Sequence, residues 1–463
     1  MRLVSSLCLL ILVSMANAQP NPEPKDGKIT IPLTLTPTPI PKPLSRYYLT
    51  PQYKEQQPGN RVPSYMKAYM EQAAFFSKDP AAEREKWNLM KLEELPVDKV
   101  KESGCTKGRP LADVDEGSRM LSSDWQIWFQ LRRDGLGMLL PEVQKMRELA
   151  GALKVRMRYE IATQDFEKAA YTARTFFGLV QAFETHPTTI GALVGMAIEA
   201  ICLNAIEEMI QQPGCPNLYW SLTEVPPDAF NMRIPIQGEK FLVEPYFGAL
   251  MNAKGELPDA DVKQVIRQYD GLTRNGDEKQ IKAFQHFTEL AKDANKVAAA
   301  RAYLVETGTK PDLVKLFSAL QVVVTKDVRR YEVDLDDVMS LYGLPISDAG
   351  KRSAELEAMW KGDKERRLSE MLPYAYKARQ AQVRLQQRVA YLRVIEAIRL
   401  HAFDNAGKLP AELKDVKSPL PKDPVTGDGF VYSVKDGVAT LTGGNPNPGQ
   451  ANTNRVYEIA TRK

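Results

Sequence analysis

The stretch VQKMRELAGALKVRMRYEI, residues 143–161, indicates the fold class. Its apolar residues recur every three or four positions, while Arg, Lys and Glu occupy the opposite side of the pattern. This spacing is typical of an amphipathic α-helix packed on a core. A break at residues 163–165 precedes a second helical pattern at 166–183, and Pro187 follows it. Together the two patterns predict an antiparallel helical hairpin.

The next segment, TTIGALVGMAIEAICLNAIEEMI at residues 188–210, is apolar on nearly every side. Glu199 lies in its middle, and Asn204 and Glu207 follow. These polar groups are costly in hydrocarbon, so the segment is predicted to be a buried central helix and not a membrane span. A buried Glu199 needs a partner, and an arginine or a backbone donor from a neighbouring helix is the expected one.

The N-terminus is typical of a secretory signal peptide. Arg2 precedes an apolar run at residues 7–13, and Ala16, Asn17 and Ala18 form a small-x-small cleavage pattern. The apolar run is too short to span a bilayer, so we expect export to the periplasm or cell envelope with no transmembrane span after cleavage.

Changes in composition divide the rest of the chain, and the predicted fold class is mainly α. We expect a helical-hairpin or bundle body in two halves, followed by a small tail that contains a β-hairpin. The predicted units are a signal peptide (1–18), a Pro-rich extended leader (19–64), a first helical half (65–224), an irregular connection (225–258), a second helical half (259–405) and a β-containing tail (406–463).

Part of the leader has a strand pattern. Eight prolines between residues 19 and 45 exclude a helix there. Apolar residues nevertheless alternate with threonine and proline at Ile29, Ile31, Leu33 and Leu35. This part of the leader is therefore either a mobile extended segment or an edge strand along the body.

The charge balance disfavours nucleic acid as a partner. The chain has 62 Lys and Arg against 58 Asp and Glu, and the signal peptide removes only Arg2 from this count. Nucleic acid favours a concentrated basic face, and the best candidate lies on one side of a predicted helix between residues 377 and 399. The basic residues on that side are Lys377, Arg384, Arg388 and Arg399. A solvated face that pairs with nearby acids is the preferred interpretation, and an anion or polyanion site is the alternative.

Three cysteines follow the signal peptide: Cys105, Cys202 and Cys215. An oxidising compartment permits one disulfide, and Cys202 with Cys215 is the possible pair. The chain would have to fold straight back after Pro213 and Gly214 to join them. Buried, unreactive thiols are the alternative.

Candidate site residues are few. Trp125, Tyr219 and Trp220 offer large apolar areas that either pack in the core or line a groove, with Glu199 as a candidate titratable group. The three histidines, His186, His286 and His401, are isolated and match no metal spacing. The sequence therefore predicts no catalytic, cofactor-binding or metal-binding residue.

The end of the chain resembles the C-terminal part of the major pseudopilins of type II secretion. A helix ends in a loop with Gly407 and Pro410, a turn at Asp423–Pro424 follows, and a short aromatic strand comes next. The matching residues are Asp404, Gly407, Pro410, Asp423, Pro424, Gly427 and Tyr432. Over these roughly 55 residues the resemblance implies a helix, a loop and a hairpin about Asp436–Gly437.

Nearly the whole chain is similar to a group of exported bacterial proteins that occur as multiple paralogues. The matching phrases include LLPEVQKMRELA, ALVGMAIEAICL, QQPGCPNLYWSL and AQVRLQQRVAYLRVIEAIRL. This resemblance implies export and carries over no catalytic or cofactor residue. Residues 149–183 are weakly similar to a tetratricopeptide hairpin, but no copy recurs 34 residues later.

We expect a non-catalytic envelope scaffold or protein-interaction module with a protein or peptide partner. An envelope hydrolase whose site matches no known motif is the first alternative, and an accessory of a secretion filament is the second. A deep pocket that joins Glu199 or a histidine to another titratable group would favour the hydrolase. A tail packed away from the body would favour the filament accessory.

Overall fold

The computed structural model describes most of the chain after the predicted signal peptide. The described residues are 27–106, 108–138, 140–226, 232–273, 283–363, 365–366, 368–372, 374–447 and 454–462. The signal peptide and the first residues of the leader lie outside them.

The fold is mainly α with a small β-sheet that includes the C-terminal tail, which confirms the predicted fold class. The α-helices are α1 (Arg61–Glu71), α2 (Lys78–Leu89), α3 (Val97–Glu102), α4 (Arg109–Gly117), α5 (Trp128–Asp134), α6 (Pro141–Ala162), α7 (Phe166–Gln181), α8 (Thr189–Met209), α9 (Tyr219–Thr223), α10 (Arg233–Met251), α11 (Asp259–Thr273), α12 (Ala283–Lys292), α13 (Ala294–Glu306), α14 (Pro311–Leu316), α15 (Ala319–Ser340), α16 (Ile346–Gly362) and α17 (Tyr374–Asp404). The strands are β1 (Lys28–Leu35), β2 (Gln57–Asn60), β3 (Met120–Ser122), β4 (Val431–Lys435), β5 (Val438–Thr442) and β6 (Asn454–Thr461).

Helices α6, α7 and α8 form the centre of the first body. Asp165 caps α7 by accepting a hydrogen bond from the backbone N–H of Lys168, and Thr188 caps α8 in the same way from Gly191. The predicted hairpin is α6 and α7, and each of its helices packs against α8. Apolar residues on every side of α8 are buried, as expected for a central helix.

Helix α8 is also the described helix whose length and composition would suit a membrane span. Its most apolar window has a mean hydropathy of 1.8, and 89% of that window is buried inside the protein.

Two large hydrophobic cores correspond to two bodies. One core contains the packed faces of α6, α7, α8 and α17 together with the sheet. The other contains residues between Ile236 and Ala375, from α10 to the start of α17. The second body is therefore inserted between α9 and α17, and most of the long helix α17 belongs to the first body.

This arrangement corrects two of the predicted boundaries. The irregular connection at 225–258 contains the helix Arg233–Met251, which carries Pro245 inside it and begins the second core. The second helical half does not run to residue 405, because α17 buries Leu385, Leu392 and Ile395 in the first core. Periodicity predicted the helix α17, but periodicity within one helix does not identify its partner.

The sheet joins the two ends of the chain, and its strand order is β1-β6-β5-β4. Strand β1 pairs with β6 in parallel, from Lys28 opposite Asn454 to Leu35 opposite Thr461. The edge-strand alternative for the leader is therefore correct for residues 28–35. Strand β5 is antiparallel to both of its neighbours. A separate parallel pair, β2 with β3, links the start of α1 to the segment before α5.

The tail follows the predicted helix, loop and hairpin. Gly407 lies at φ +85° just after α17, and Asp436 and Gly437 both have positive φ in the turn between β4 and β5. The ring of Tyr391 on α17 packs at a tilt against Phe430 at 4.6 Å and against Tyr457 at 4.9 Å between ring centroids. The sheet is thus packed against the first body.

Candidate interaction surface

Trp125 is a core residue. Its indole N–H donates a hydrogen bond of 2.7 Å to the backbone carbonyl of Ala182. Its ring lies 4.9 Å from that of Phe183 and 4.8 Å from that of His186, measured between centroids. Both the apolar surface and the polar atom of Trp125 are therefore satisfied inside the first body.

Tyr219 and Trp220 lie side by side at the start of α9. Tyr219 is buried and its hydroxyl donates to the carbonyl of Pro419, whereas Trp220 is 38% exposed. The two rings meet edge to face at 5.0 Å. No ring contact or hydrogen bond links either of them to Trp125 within the described residues, so these three residues do not come together in the groove that was the alternative to core packing.

Glu199 is buried in the middle of α8 with 3% of its surface exposed. It accepts no hydrogen bond from any residue that the structure describes, in contrast to the prediction of a direct partner. Burial raises the pKa of Glu199 to about 7, although the positive charge of Arg388 opposes this and the nearby Glu184 adds to it.

A buried polar cluster joins α8, α17 and β6 around the carboxylate of Glu207. Its Oε1 atom lies 3.0 Å from a guanidinium nitrogen of Arg388, 3.5 Å from one of Arg455 and 2.8 Å from the hydroxyl of Tyr457. Arg388 also donates to the amide oxygen of Asn204 at 2.6 Å. The two arginines and Tyr457 hold the pKa of Glu207 below its ordinary value despite complete burial.

A second buried pair lies farther along α17. Arg399 is fully buried and contacts Glu396 at 3.0 Å, and it also donates to the carbonyls of Thr36 and Pro216. Arg388 and Arg399 pair with acids as predicted, but both side chains are buried, so the predicted solvated face is wrong for these two residues. The contacts of Arg388 and Arg399 hold together segments that are far apart in the sequence. Their role is therefore to stabilise the fold.

Cys202 and Cys215 do not form the possible disulfide. Both are buried free thiols, and so is Cys105. Cys202 faces the interior from α8, whereas the backbone of Cys215 is held by Arg399. Burial raises the pKa of each thiol, which keeps the reactive thiolate scarce.

The three histidines remain apart. His186 is buried against Trp125, and burial lowers its pKa to about 3. His401 lines a cleft of about 100 Å³ with Asp404 and Asp415. This volume is below the roughly 300–1,000 Å³ of typical ligand pockets. No group of three His, Cys, Asp or Glu side chains in the described chain has a geometry suited to a metal ion.

An exposed aromatic cluster lies on α5 and α10. We define the aromatic–arginine surface as Trp128, Phe129, Arg132, Arg133 and Phe241. Phe129 is 74% exposed and Trp128 is 43% exposed. The ring of Trp128 meets that of Phe241 edge to face at 5.5 Å, and Arg132 lies over Phe241 at 4.6 Å. Packing of α5 on α10 holds this surface in place.

The charges of this surface are partly balanced. Arg133 contacts Asp134 at 2.7 Å, and Arg132 lies 3.9 Å from Glu244. An aromatic centre with arginines at its edge is the composition found at protein-binding hot spots. Exposed surface of this kind suits recognition of another macromolecule more than catalysis.

Trp128 and Phe129 lie at helical spacing from Trp125, and that pattern alone favours core packing for all three residues. The available signal was the run of Arg132, Arg133 and Asp134 directly after them, which limits how much of so short a helix can be buried.

No family model, curated protein or solved structure matches the chain. The fold class of the protein is therefore defined from its own architecture. It is a mainly α protein of two packed bodies, closed by a four-stranded mixed sheet that combines both ends of the chain.

Proposed function

We propose that this chain is an exported, non-catalytic interaction protein of the cell envelope, and that it binds a protein or peptide through the aromatic–arginine surface. The observation that carries the proposal is the exposure of Phe129 and Trp128 on a helix that is itself held by α10. A rigid aromatic side chain loses little conformational entropy when it is covered by a partner, so such residues contribute strongly to binding.

The buried charged groups support the same function. Arg388, Glu207, Arg399 and Glu396 are engaged in contacts that join helices and strands. Glu199 is buried in α8 and does not line the described cleft beside His401. That cleft joins His401 to Asp404 and Asp415, but its volume of about 100 Å³ is below that of typical ligand pockets, so it is not the deep pocket that would favour an envelope hydrolase. The tail packs on α17, so the condition that would favour a filament accessory is not met either.

Site-specific photo-crosslinking tests the proposal. A photoreactive amino acid replaces Phe129 in one variant and the exposed Lys292 in a matched control, and both proteins are irradiated in the intact envelope. We expect a discrete adduct from position 129 that is absent from position 292. Adding Trp128→Ser to the first variant should remove the adduct without changing the circular dichroism spectrum.

Adducts of equal yield from both positions, or none from position 129, would contradict the proposed surface. Cell fractionation with N-terminal sequencing tests export separately, and we expect a mature protein that begins at Gln19. An unprocessed cytoplasmic chain would contradict the envelope location.

A further inference from the structure

Strand β4 forms an open edge of the four-stranded sheet. The other three strands each contain buried residues, whereas β4 contains none. Val431 is 65% exposed and Val434 is 39% exposed, and Val438 at the start of β5 is 37% exposed. An exposed edge strand that carries apolar side chains is a site at which a further strand can pair.

The backbone of β4 has unpaired groups on its outer side. The turn between β4 and β5 has two residues, both with positive φ, and the pair that closes it, Lys435 and Val438, is therefore hydrogen bonded. Hydrogen-bonded and non-hydrogen-bonded pairs alternate along an antiparallel ladder, so the N–H and C=O groups of Tyr432 and Val434 point away from β5. No hydrogen bond from a residue in the described ranges reaches these groups.

Strand β1 forms the other edge of the sheet and is protected. Pro32 in its middle has no N–H to donate, and proline is one of the devices by which edge strands avoid further pairing. Just after β1, the guanidinium of Arg399 donates to the carbonyl of Thr36 at 2.8 Å, which ties this edge to α17. The sheet therefore presents β4, and not β1, to a further strand.

The unpaired groups of β4 are complementary to an identical strand. When two copies of β4 lie antiparallel about a two-fold axis at Ser433, Tyr432 of each copy lies opposite Val434 of the other, and all of their outward N–H and C=O groups gain partners. Aromatic and β-branched side chains form favourable cross-strand pairs. On the solvent face, the exposed Val431 of each copy lies opposite the long side chain of Lys435, and the two Ser433 hydroxyl groups lie opposite each other.

The charges favour this register over its neighbours. Lys435 is the charged residue of β4, and the axis at Ser433 holds its two copies about 14 Å apart, beyond the Debye length of about 8 Å at physiological ionic strength. Centring the axis on Val434 brings the two lysines to about 8 Å. Centring it on Tyr432 places Asp436 of one copy opposite Asp428 of the other, and like charges directly opposite each other are destabilising.

We propose that two copies of this chain pair through β4 about a two-fold axis at Ser433, so that their two four-stranded sheets join into one. Each copy uses the same strand, so the assembly closes as a dimer. The contact is limited to one short strand from each copy, and we therefore expect a weak, reversible dimer. It uses none of the residues of the aromatic–arginine surface.

Disulfide trapping in the full mature chain tests the register. Ser433→Cys places one thiol from each copy at the proposed axis, where directly opposite Cβ atoms lie about 4.5–5.5 Å apart. The native cysteines are buried and do not compete. Thr440→Cys is the matched control, because Thr440 pairs with Ser433 one strand farther from the axis. The two copies of position 440 would lie about 14 Å apart, too far for a disulfide. Under mild oxidation we expect a linked dimer from position 433 and a monomer from position 440.

Sedimentation equilibrium over a range of protein concentrations measures the dimer without a crosslink. We expect a monomer–dimer equilibrium for the wild type. Ser433→Lys should weaken it roughly tenfold, because two like charges would lie opposite each other at the axis, and higher salt should restore part of the loss. Circular dichroism checks that this variant is folded. Phe129→Ser should associate as the wild type does, which separates this contact from the proposed interaction surface.

Three results would overturn the pairing. The first is a wild-type protein that stays monomeric at every concentration. The second is equal disulfide yields from positions 433 and 440. The third is a dimer whose affinity is the same in folded Ser433→Lys as in the wild type.

Discussion

Replacing Glu199 with glutamine should change how the stability of the protein depends on pH. Burial raises the pKa of Glu199 from its ordinary value of 4.5 to about 7. At pH values between these two pKa values, Glu199 is ionised in the unfolded chain but still protonated in the folded protein. The free energy of unfolding therefore falls as pH rises through this window, by about 1.4 kcal/mol per pH unit. At pH values above the folded-state pKa, the free energy of unfolding is lower by about 3 kcal/mol because Glu199 is ionised inside the protein. At pH values below the unfolded-state pKa, this loss disappears.

Glu199→Gln keeps the shape of the side chain and removes the charge. The variant should be more stable than the wild type by about 3 kcal/mol near pH 8, and the gain should shrink to less than about 1 kcal/mol near pH 5. Urea denaturation followed by circular dichroism at several pH values measures this difference directly.

Glu224→Gln, which removes an exposed carboxylate, is the matched control and should leave the pH dependence unchanged. If Glu199→Gln and the wild type lose stability in parallel as pH rises, Glu199 is ionised at little cost in the folded protein. The description of it as an unpartnered buried carboxyl group would then be wrong.

Three further predictions follow from buried contacts. Arg399→Met should lower the free energy of unfolding by about 3–5 kcal/mol, because Glu396 is left buried without its partner; urea denaturation checks this, and an unchanged midpoint would show that the pair contributes little. Gly191→Ala should destabilise the protein by about 1–3 kcal/mol, because the added Cβ would lie 2.1 Å from the ring of His186. In Gly151→Ala the added Cβ would make only an ordinary contact of 4.0 Å with Asn88, so this substitution should instead stabilise the helix by about 0.5–1 kcal/mol. Equal effects of the two substitutions in thermal unfolding would refute the packing argument. Cys105, Cys202 and Cys215 are buried free thiols, so a thiol reagent should react with them slowly in the native mature protein and rapidly after denaturation. Fast reaction of the native protein would show that the thiols are not buried. An absence of free thiols in denaturant would show that they are not free.

Local patterns predicted the helical elements well. The hairpin of α6 and α7 and the buried helix α8 follow from the positions of apolar residues and from the break at residues 163–165. The hairpin at Asp436–Gly437 follows from turn residues that tolerate positive φ. These features depend on interactions between residues close in sequence, which is why they are readable without the fold.

The candidate sites were less predictable. Trp125 and Trp128 occupy similar positions in the helical pattern, yet one is buried and the other is 43% exposed. Arg384 and Arg388 lie on the same side of one helix, but only Arg388 reaches Glu207. Spacing along a helix indicates which side chains share a face. It does not indicate whether a neighbouring element brings an acid, an apolar surface or solvent to that face.

The sequence by itself determined the mainly α class, the amphipathic faces, the ends of several helices and the pattern of the tail hairpin. Only the tertiary structure decided that residues 28–35 pair with residues 454–461, that α17 belongs to the first body, and that Arg388 and Arg455 share one buried carboxylate. The physical reason is the range of the interactions. Hydrogen bonding and periodicity within a helix act over a few residues, whereas strand pairing and ion pairing across the chain depend on how all the elements pack together.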